Sequence, residues 1–288
     1  QSDPPLLDQP QEGAMKFGSI NIVGRSVSGY STSITLPDMG ISFDCGVANH
    51  DAIQCNTVLI THGHLDHLGD ICRQAYLRAM RGMEPTTFLV PHWLVKRVHE
   101  LFTFWAKVQQ ARKCPYSIKI VGWNERVDIC KGRFVRAFET DHRISSQGYV
   151  VVEERTRLAA KYRGTPGREL GRLRKEGADL DEVFEFPLVA FTGDTRASVF
   201  DGDLLALKAQ VLISECTFVN GDVTVAEARK KGHVHISELA AKAHRFADVG
   251  TLVLTHFSQR HTNRHIEEAI ASLPAALRTK TSYLPVGK

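Results

Sequence analysis

The sequence has no long hydrophobic run and no recognisable export signal. Hydrophobic residues make up 43% of the 288 positions, but charged or polar side chains interrupt them everywhere. A helix that spans a membrane needs about 20 consecutive apolar residues, so none is expected. Residues 1–14 are polar and contain proline, without the basic segment and apolar core of a signal peptide. We expect a tail over 1–14 and one domain over 15–288.

The cysteines and the net charge exclude little more. None of the six cysteines forms a Cys-x-x-Cys pair, and a chain of this length does not need disulfides to fold. Scattered reduced thiols in a cytoplasmic protein are the better interpretation. The net charge of +4 is only mildly basic and identifies no class of partner by itself. The position of particular residues is more informative.

Four candidate metal ligands stand within six residues. His62, His64, Asp66 and His67 directly follow the apolar run 57–60. Alternate side chains of an extended segment point to one face, so His62, His64 and Asp66 should lie together. Imidazole and carboxylate groups are the ligands that zinc and similar divalent ions take. Four ligands exceed what one tetrahedral ion with an open position needs from a single loop, which favours two ions.

Further ligands are expected where other strand-like runs end, because loops at strand ends gather residues that are distant in sequence. Such runs end at His142, at Asp194 and at His256. Each of these residues alone has an ordinary alternative: a loop histidine, a turn or helix cap, or a buried hydrogen-bonded histidine. Their shared placement favours metal ligation.

Hydrophobic periodicity predicts a mixed α/β protein. Short strand-like runs occupy residues 16–60 and return after residue 116, and apolar periodicity of the helical kind appears between them. The predicted helices cover about 71–82, 92–112, 223–231, 236–248 and 265–279. Strands and helices mixed in this way indicate a layered α/β fold.

With these motifs the chain resembles the metallo-β-lactamase-fold hydrolases and, within them, the short tRNase Z type of tRNA 3′-processing endonuclease. The matching segments, in the order of the family, are 62–67, 140–142, 146–149, 191–195, 214–218, 232–237 and 254–258. They extend the resemblance over about residues 16–288. It implies an αββα sandwich with a dinuclear metal site at one edge of the two sheets.

The resemblance also implies a ligand set. One zinc ion is expected on His62, His64 and His142, and a second on Asp66, His67 and His256. Asp194 is expected to bridge them. Mn²⁺ or Fe²⁺ is an alternative to Zn²⁺.

Three residues carry the catalytic roles that the resemblance implies. A hydroxide between the two ions attacks phosphorus, and Asp66 orients it. His235 donates a proton to the leaving 3′-oxygen, and Glu215 holds and polarises His235. An alternative for Glu215 is a contact with a histidine that binds metal. His233, two residues from His235, is ambiguous.

A basic segment interrupts the alternation of strands and helices. From residue 155 to residue 175 eight residues are basic and only Glu169 is acidic. The segment contains several Gly and Pro residues and few large apolar ones, so it should project into water as a flexible arm. Such an arm suits the neutralisation of phosphates, and the alternative is a solvated basic loop. The family inserts a tRNA-gripping arm here. The predicted tRNA contacts of this basic arm, about residues 155–182, are Arg163, Arg168, Arg172 and Arg174.

Three functional hypotheses follow. The first is a zinc-dependent phosphodiesterase that removes the 3′ trailer of precursor tRNA, as a cytoplasmic homodimer in which one subunit's arm serves the other's active site. The second keeps the fold and the metals but acts on a small phosphodiester, a thioester or a lactam. The third is a non-catalytic RNA-binding or scaffold protein. The basic arm and the Glu215 and His235 pair favour the first over the second, and the complete ligand set argues against the third.

Overall fold

Two mixed β-sheets pack face to face between two layers of helices in the computed structural model, which describes residues 13–286. The predicted tail over 1–14 lies outside the described residues, apart from Gly13 and Ala14. The layer order is helix, sheet, sheet, helix. The αββα sandwich that the resemblance implied is therefore confirmed.

The first sheet changes from antiparallel to parallel pairing along its width. Its strands are, in chain order, β1 (Met15–Phe17), β2 (Ile20–Ser28), β3 (Ser31–Leu36), β4 (Ile41–Phe43), β5 (Thr57–Leu59), β6 (Thr86–Val90) and β7 (Tyr116–Ile120). They are neighbours in this same order. Strands β1 to β4 pair antiparallel, and β4 to β7 pair parallel.

The second sheet repeats this arrangement. Its strands are β8 (Arg126–Cys130), β9 (Arg133–Thr140), β10 (Ser146–Leu158), β11 (Asp181–Phe191), β12 (Val211–Glu215), β13 (Thr251–Thr255) and β15 (Thr281–Tyr283). Strands β8 to β11 pair antiparallel, and β11, β12, β13 and β15 pair parallel. Because parallel strands end at one edge, the residues that follow them converge there.

One short strand connects the two sheets. Strand β14 (Phe257–Ser258) follows β13 of the second sheet but pairs parallel with β2 of the first. His256 lies at this crossing with a positive φ of 61°, a conformation that is uncommon for a non-glycine residue. The backbone turn that moves the chain between sheets therefore also orients this predicted ligand.

Helices cover the outer face of each sheet. They are α1 (His50–Gln54), α2 (Leu65–Leu68), α3 (Ile71–Met80), α4 (Val95–Val108), α5 (Gly167–Lys175), α6 (Val225–Lys231), α7 (Ile236–Ala241), α8 (Asn263–Ala271) and α9 (Ala275–Arg278). Short 3₁₀ helices cover Pro37–Met39, His92–Leu94, Ala160–Tyr162, Ala197–Asp201, Leu205–Lys208 and Ala243–Phe246. Between residues 13 and 286 no helix has both the length and the apolar character needed to cross a membrane.

Three apolar cores hold the layers together. The central core joins the facing sides of the two sheets, with Phe43 and Leu89 from the first sheet and Tyr149 and Phe191 from the second. A second core packs helices α3 and α4 on the outer side of the first sheet. The third packs α7 and α8 on the outer side of the second sheet. Burial of this apolar surface is the main force that stabilises such layers.

The predicted helices are shorter or broken in the structure. The segment predicted as one helix over 265–279 is divided into α8 and α9, and Pro274 is the cap of the second helix. A proline in the helix interior would lose a hydrogen bond and clash with the preceding turn. The segment 92–112 begins as a 3₁₀ turn before α4, and 236–248 becomes α7 followed by another 3₁₀ turn.

The basic arm has regular structure, where the sequence predicted a flexible segment. Strands β10 and β11 form an antiparallel hairpin that stays paired out to Leu158 and Asp181. Helix α5 lies in the connection between them. Few side chains of the connection are buried, as predicted, and Leu180 at its base is one of them.

Candidate metal centre

All seven predicted metal ligands converge at one edge of the sandwich. His62 and His64 follow strand β5, and Asp66 and His67 lie in the short helix α2 behind them. The remaining ligands follow three strands of the second sheet: His142 after β9, Asp194 after β11 and His256 after β13. Their side-chain donor atoms form two adjoining groups that are compatible with metal ions.

The first group consists of three imidazoles and one carboxylate oxygen. His64 Nδ1 lies 3.0 Å from His62 Nε2 and 3.3 Å from His142 Nε2. Asp194 Oδ2 lies 3.7 Å from His62 Nε2 and 3.8 Å from His142 Nε2. The four donor atoms thus surround one point.

The second group uses the other oxygen of the same aspartate. His67 Nε2 lies 3.3 Å from His256 Nε2, and Asp194 Oδ1 lies 3.2 Å and 3.3 Å from these two nitrogens. Asp66 Oδ2 lies 3.5 Å from His256 Nε2 and 3.8 Å from His67 Nε2. Asp194 therefore offers one oxygen to each group, which is the arrangement predicted for a bridging ligand.

The donor set fits divalent metal ions. Tetrahedral zinc with bonds of about 2.0–2.1 Å places its ligand atoms about 3.3 Å apart, close to the separations within each group. Asp194 is 2% exposed, and its Oδ1 accepts no hydrogen bond from any residue between 13 and 286. A buried carboxylate oxygen without a donor is costly unless a cation compensates it. Imidazole nitrogen with carboxylate oxygen is also the chemistry that zinc prefers.

Asp44 orients two of the ligand histidines. Its carboxylate accepts a hydrogen bond of 2.7 Å from His67 Nδ1, and it also accepts from the backbone and hydroxyl of Thr61. The Thr61 hydroxyl in turn accepts from His62 Nδ1 at 2.9 Å. These bonds assign the ring protons to Nδ1 and leave both Nε2 lone pairs for a metal.

Two further histidines are fixed in the same tautomer. His142 Nδ1 donates to the carbonyl oxygen of Gly232 at 2.8 Å. His256 Nδ1 donates to the hydroxyl of Thr217 at 3.1 Å, which donates to Glu215 at 2.7 Å. The left-handed backbone of Gly232 (φ +84°) leaves no room for a side chain, because a Cβ there would lie 2.8 Å from the His142 ring. The loop that carries Gly232 is thus part of the metal centre.

The electrostatics of the centre favour bound cations. Burial lowers the pKa of His62 and of His142, so both imidazoles are neutral near pH 7 and available as ligands. Burial would raise the pKa of Asp194, but the neighbouring His256 and His67 lower it, so the carboxylate stays ionised. Burial likewise opposes charge on His67, yet Asp194 and Asp44 raise its pKa. Two buried carboxylates thus hold a positive charge at a position that a metal ion can take.

Sequence reasoning missed Asp44, Thr61 and Thr217. Asp44 directly follows strand β4, so the rule that ligands stand where apolar runs end also applies to it. An aspartate beside Gly46 resembles an ordinary turn residue, and only its positive φ of 58° marks the position as unusual. Thr61 and Thr217 carry no signal of their own.

The predicted contact between Glu215 and His235 is wrong. Glu215 is 1% exposed, and its Oε1 accepts a hydrogen bond of 2.9 Å from His233 Nδ1. The ring of His233 lies between the ligand rings of His142 and His256, with centroid separations of 5.1 Å and 5.4 Å. The alternative for Glu215 was contact with a histidine that binds metal, and Thr217 connects Glu215 to the predicted ligand His256.

His235 lies apart from Glu215 because it begins helix α7. Its Nδ1 accepts from the backbone N–H of Ser237 at 3.2 Å, and its Nε2 donates to the carbonyl of Asn220 at 3.1 Å. Side chains two residues apart in an extended segment share a face, so spacing alone could not distinguish His233 from His235. The capping contact at the start of α7 turns the ring of His235 away.

Acidic side chains compensate much of the positive charge of the basic arm. Between residues 155 and 182 eight basic residues stand against five acidic ones, four of which follow the stretch that appeared uniformly basic. Arg172 bonds Glu169 and Glu176, each at 2.6 Å, and Arg174 bonds Asp181 at 3.2 Å. Arg163 approaches Glu182 at 4.0 Å. Arg168 makes no ion pair within the described part of the chain, so of the four predicted tRNA contacts it has the least compensated charge.

No family model matches the chain, but two plant proteins are similar to it over nearly its whole length. tRNase Z TRZ1 of Arabidopsis thaliana is 36% identical over 276 residues, 95% of this chain and 98% of that protein. tRNase Z TRZ2, chloroplastic, of the same plant is 32% identical and covers 95% of this chain and 77% of that protein.

Solved structures share the fold at much lower identity. Human short-form tRNase Z (ELAC1) superposes with a TM-score of 0.58 at 17% identity, covering 92% of this chain and 95% of that one. The metallo-beta-lactamase fold protein YhfI of Bacillus subtilis superposes with a TM-score of 0.60 at 15% identity, covering 93% and 96%. Taken with the sequence relatives, these likenesses show that the chain is a metallo-β-lactamase-fold hydrolase and belongs to the tRNase Z family.

Proposed function

We propose that this protein is an endoribonuclease that removes the 3′ trailer of precursor tRNA with two bound zinc ions. The observation that carries the proposal is the convergence of all seven predicted ligands in two donor groups, both of which Asp194 approaches, within a chain 36% identical to a tRNase Z. A complete ligand set also argues against a non-catalytic RNA-binding protein. Mn²⁺ or Fe²⁺ could occupy the same donors.

The two ions would lie in the two donor groups, one on His62, His64 and His142 and the other on Asp66, His67 and His256. When bound, such a pair of ions supplies a water activated near neutral pH and positive charge for the phosphoryl oxygens. Asp66 is well placed to orient that water, because its Oδ2 faces the second group while the backbone N–H of Gly29 donates to it at 2.7 Å. This contact fixes the carboxylate plane.

We propose His233 as the proton donor to the leaving 3′-oxygen. Burial opposes its protonation, but the adjacent Glu215 carboxylate raises its pKa above the ordinary histidine value. A histidine that keeps its proton near neutral pH beside the ligand rings is suited to general acid catalysis. His235 is the alternative donor, although both of its ring nitrogens already make hydrogen bonds within the protein.

The basic arm is proposed to hold the tRNA away from the scissile bond. Support comes from the exposure of the hairpin tip and from the cationic side chains on helix α5, among them Arg168, Arg172 and Arg174. Because acids pair with Arg172 and Arg174, we expect a moderate contribution of the arm to affinity. Phosphate contacts of this kind position the RNA and carry no sequence preference.

A homodimer is proposed as the functional form. Helix α4 exposes Phe104, Trp105 and Val108, with exposed fractions of 59%, 44% and 53%, and Met80 of the adjacent helix α3 is 69% exposed. Grouped large apolar side chains on a surface indicate a protein interface. The arm of one subunit would then serve the active site of the other.

A reducing compartment such as the cytoplasm is proposed as the location. All six cysteines are free thiols, as expected for a protein that is not exposed to oxidising conditions. Fractionation of cells that express the tagged full chain would test this assignment.

A side-by-side substrate panel tests the proposed function. Zinc-loaded protein would be offered precursor tRNA, bis(p-nitrophenyl) phosphate, a thioester and a β-lactam, and kcat/KM would be measured for each. We expect cleavage of precursor tRNA at one position near its 3′ end, at a kcat/KM above that for every small substrate. Efficient turnover of one small substrate with no cleavage of the RNA would instead support a hydrolase of that small substrate.

A further inference from the structure

A groove of about 990 Å³ leads away from the metal centre along strand β9. The ligand His142 and the exposed Arg143 line one end of it, and Trp93 and Trp123 line another part. Neither tryptophan belongs to the metal centre or to the basic arm, so the proposed function assigns no role to them. An open groove that continues an active site is a natural path for the rest of a polymeric substrate.

Two tryptophans give the groove an aromatic surface. The rings of Trp93 and Trp123 meet edge to face, with centroids 6.3 Å apart, and Trp123 is 46% exposed. The indole Nε1 of Trp93 is buried and donates to nothing within residues 13–286. A buried donor without an acceptor is uncommon in proteins, so the surroundings of Trp93 do not satisfy this indole N–H.

The position of Trp123 is fixed relative to the catalytic edge. Trp123 forms a parallel bridge with Ala137 of strand β9, and the next residue, Asn124, donates its backbone N–H to Ala137 O at 2.8 Å. The same strand continues to His142. Five residues of extended chain span about 16 Å, so the aromatic surface lies within a few nucleotides of the metal centre.

The groove carries charges of both signs. Arg143 and Asp141 flank the ligand His142 at the metal end, and the lining also includes Glu139 of strand β9 and Asp203. Arg196 and Ser198 bond Asp141, and Lys208 lies 3.6 Å from Asp203. Carboxylates disfavour a phosphate but accept hydrogen bonds from base amino groups.

We propose that this groove binds one unpaired base of the RNA substrate, stacked on Trp123 beside Trp93, within a few nucleotides of the cleavage site. The proposal rests on the proposed function, because it assumes a single-stranded RNA segment that leads away from the scissile phosphate. Stacking of bases on aromatic side chains is worth about 1–3 kcal/mol per base and tolerates any sequence. The groove would therefore select for an unstructured end rather than for a sequence.

A double-mutant cycle between protein and RNA tests the proposal. Precursor tRNAs would carry an abasic nucleotide at each unpaired position around the cleavage site, and kcat/KM would be measured with wild type and Trp123→Ala. At one position the abasic change should lower kcat/KM for wild type between about fivefold and about 150-fold. The same change should have little further effect on Trp123→Ala, because the stacking partner is already absent.

Two variants control for indirect effects. Trp105→Ala removes a tryptophan of matching exposure, 44% against 46%, that lies outside the groove on the proposed dimer surface of helix α4. Any loss of cleavage through the dimer applies to the intact and the abasic RNA alike, so this variant should keep the full abasic penalty. Trp123→Phe retains a ring and should restore most of the penalty, which also covers the case in which Trp123→Ala folds poorly. An abasic penalty in Trp123→Ala as large as in wild type at every position would overturn the proposal.

A fluorescence titration tests base stacking in the groove independently of the proposed cleavage of precursor tRNA. Trp105→Phe leaves only the two groove tryptophans, since the chain has three in total. A single-stranded tetraribonucleotide should quench this fluorescence, and its fully abasic analogue should quench it far less. If precursor tRNA is not cleaved at all, the proposed function fails, and this titration still decides the groove: equal quenching by both ligands, or none, would exclude base stacking.

Discussion

At the scale of single residues, Asp194 is the carboxylate that approaches both donor groups. Each of its carboxylate oxygens faces a different donor group, and Oδ1 accepts no hydrogen bond within residues 13–286. Other carboxylates of the edge have separate tasks: Asp66 faces one group only, and Asp44 bonds the far side of the histidine rings. Loss of Asp194 therefore cannot be compensated locally.

Asp194→Ala should lose metal and activity together. Removal of the shared carboxylate leaves each ion with one ligand fewer. We expect fewer than two metal ions per chain by elemental analysis and almost no cleavage of precursor tRNA. His244→Ala, on the outer helical layer, should keep full metal content. Two metals and near-normal turnover in Asp194→Ala would show that the bridging role is wrong.

His233→Ala should retain both metals and cleave precursor tRNA more slowly by about two to four orders of magnitude, the range of general acid catalysis. The defect should shrink on bis(p-nitrophenyl) phosphate, because nitrophenolate leaves without a proton. His235→Ala is the matched control and should show the smaller defect. The opposite ranking of the two variants would return the donor role to His235.

The contact between Glu215 and His233 predicts how kcat depends on pH. Since Glu215 raises the pKa of His233, the acid form persists to higher pH, and kcat should fall as the pH rises through that pKa. Glu215→Gln removes the carboxylate, so the falling limb of the profile should move to lower pH while the limb in acid stays. A profile with an unchanged basic limb, at unchanged metal content, would exclude the coupling of these two residues.

The residues also show what the sequence could and could not reveal. The convergence of the seven predicted ligands could be foreseen, because they are residue types that bind metals and stand at the ends of apolar runs, where strand geometry brings them together. The histidine that contacts Glu215 could not be predicted. His233 and His235 are the same residue type two residues apart, and the sequence does not show that His235 caps helix α7 instead. Asp44 was missed because one aspartate after a strand is typical of any turn.

At the scale of elements, loops and caps carry what periodicity does not reveal. The ends of strand β5 and helix α3 agree closely with those that the apolar pattern predicts. Pro274, in contrast, divides a segment that was predicted to be one helix. The basic arm is a similar case. Its composition indicated a flexible cationic segment. The acids that follow pair with part of its charge, and strands β10 and β11 form a hairpin that carries helix α5. The net charge of residues 155–175 in the sequence therefore overestimated the positive charge that the folded arm presents.

Arg168→Ala should weaken precursor tRNA binding more than Arg172→Ala, although both residues lie on helix α5. Arg168 has no ion pair among the described residues, while two glutamates already bond Arg172. Each lost phosphate contact should reduce the slope of log affinity against log salt by about one. The readout is the salt dependence of tRNA binding by both variants. Equal slopes in wild type and Arg168→Ala would show that this side chain is merely solvated.

At the scale of the whole molecule, the candidate metal centre lies at one edge of the sandwich, and an apolar surface on helix α4 is exposed to solvent. The metal edge lies where parallel strands of both sheets end, and β14 joins the sheets there. Helix α4 packs its inner side on the first sheet through Val98 and Phe102 and exposes Phe104 and Val108 to solvent. In the proposed homodimer, a second copy of the chain would cover this second apolar side of helix α4.

Subunit mixing tests both the dimer and the role of the arm in it. One variant carries Asp194→Ala and an intact arm. The other keeps the metal centre but has residues 161–178 replaced by an Asn-Gly turn, which closes the hairpin beyond the Ala159 and Leu180 contact. Each alone should cleave precursor tRNA poorly. If the arm of one subunit serves the other, mixed dimers should recover cleavage, whereas an arm that serves its own subunit predicts no recovery.

Phe104→Asp in both variants should abolish the recovery and yield monomers by analytical ultracentrifugation, because a buried charge disfavours the interface. Val183→Asp, a matched exposed apolar position on the hairpin, should leave the dimer intact.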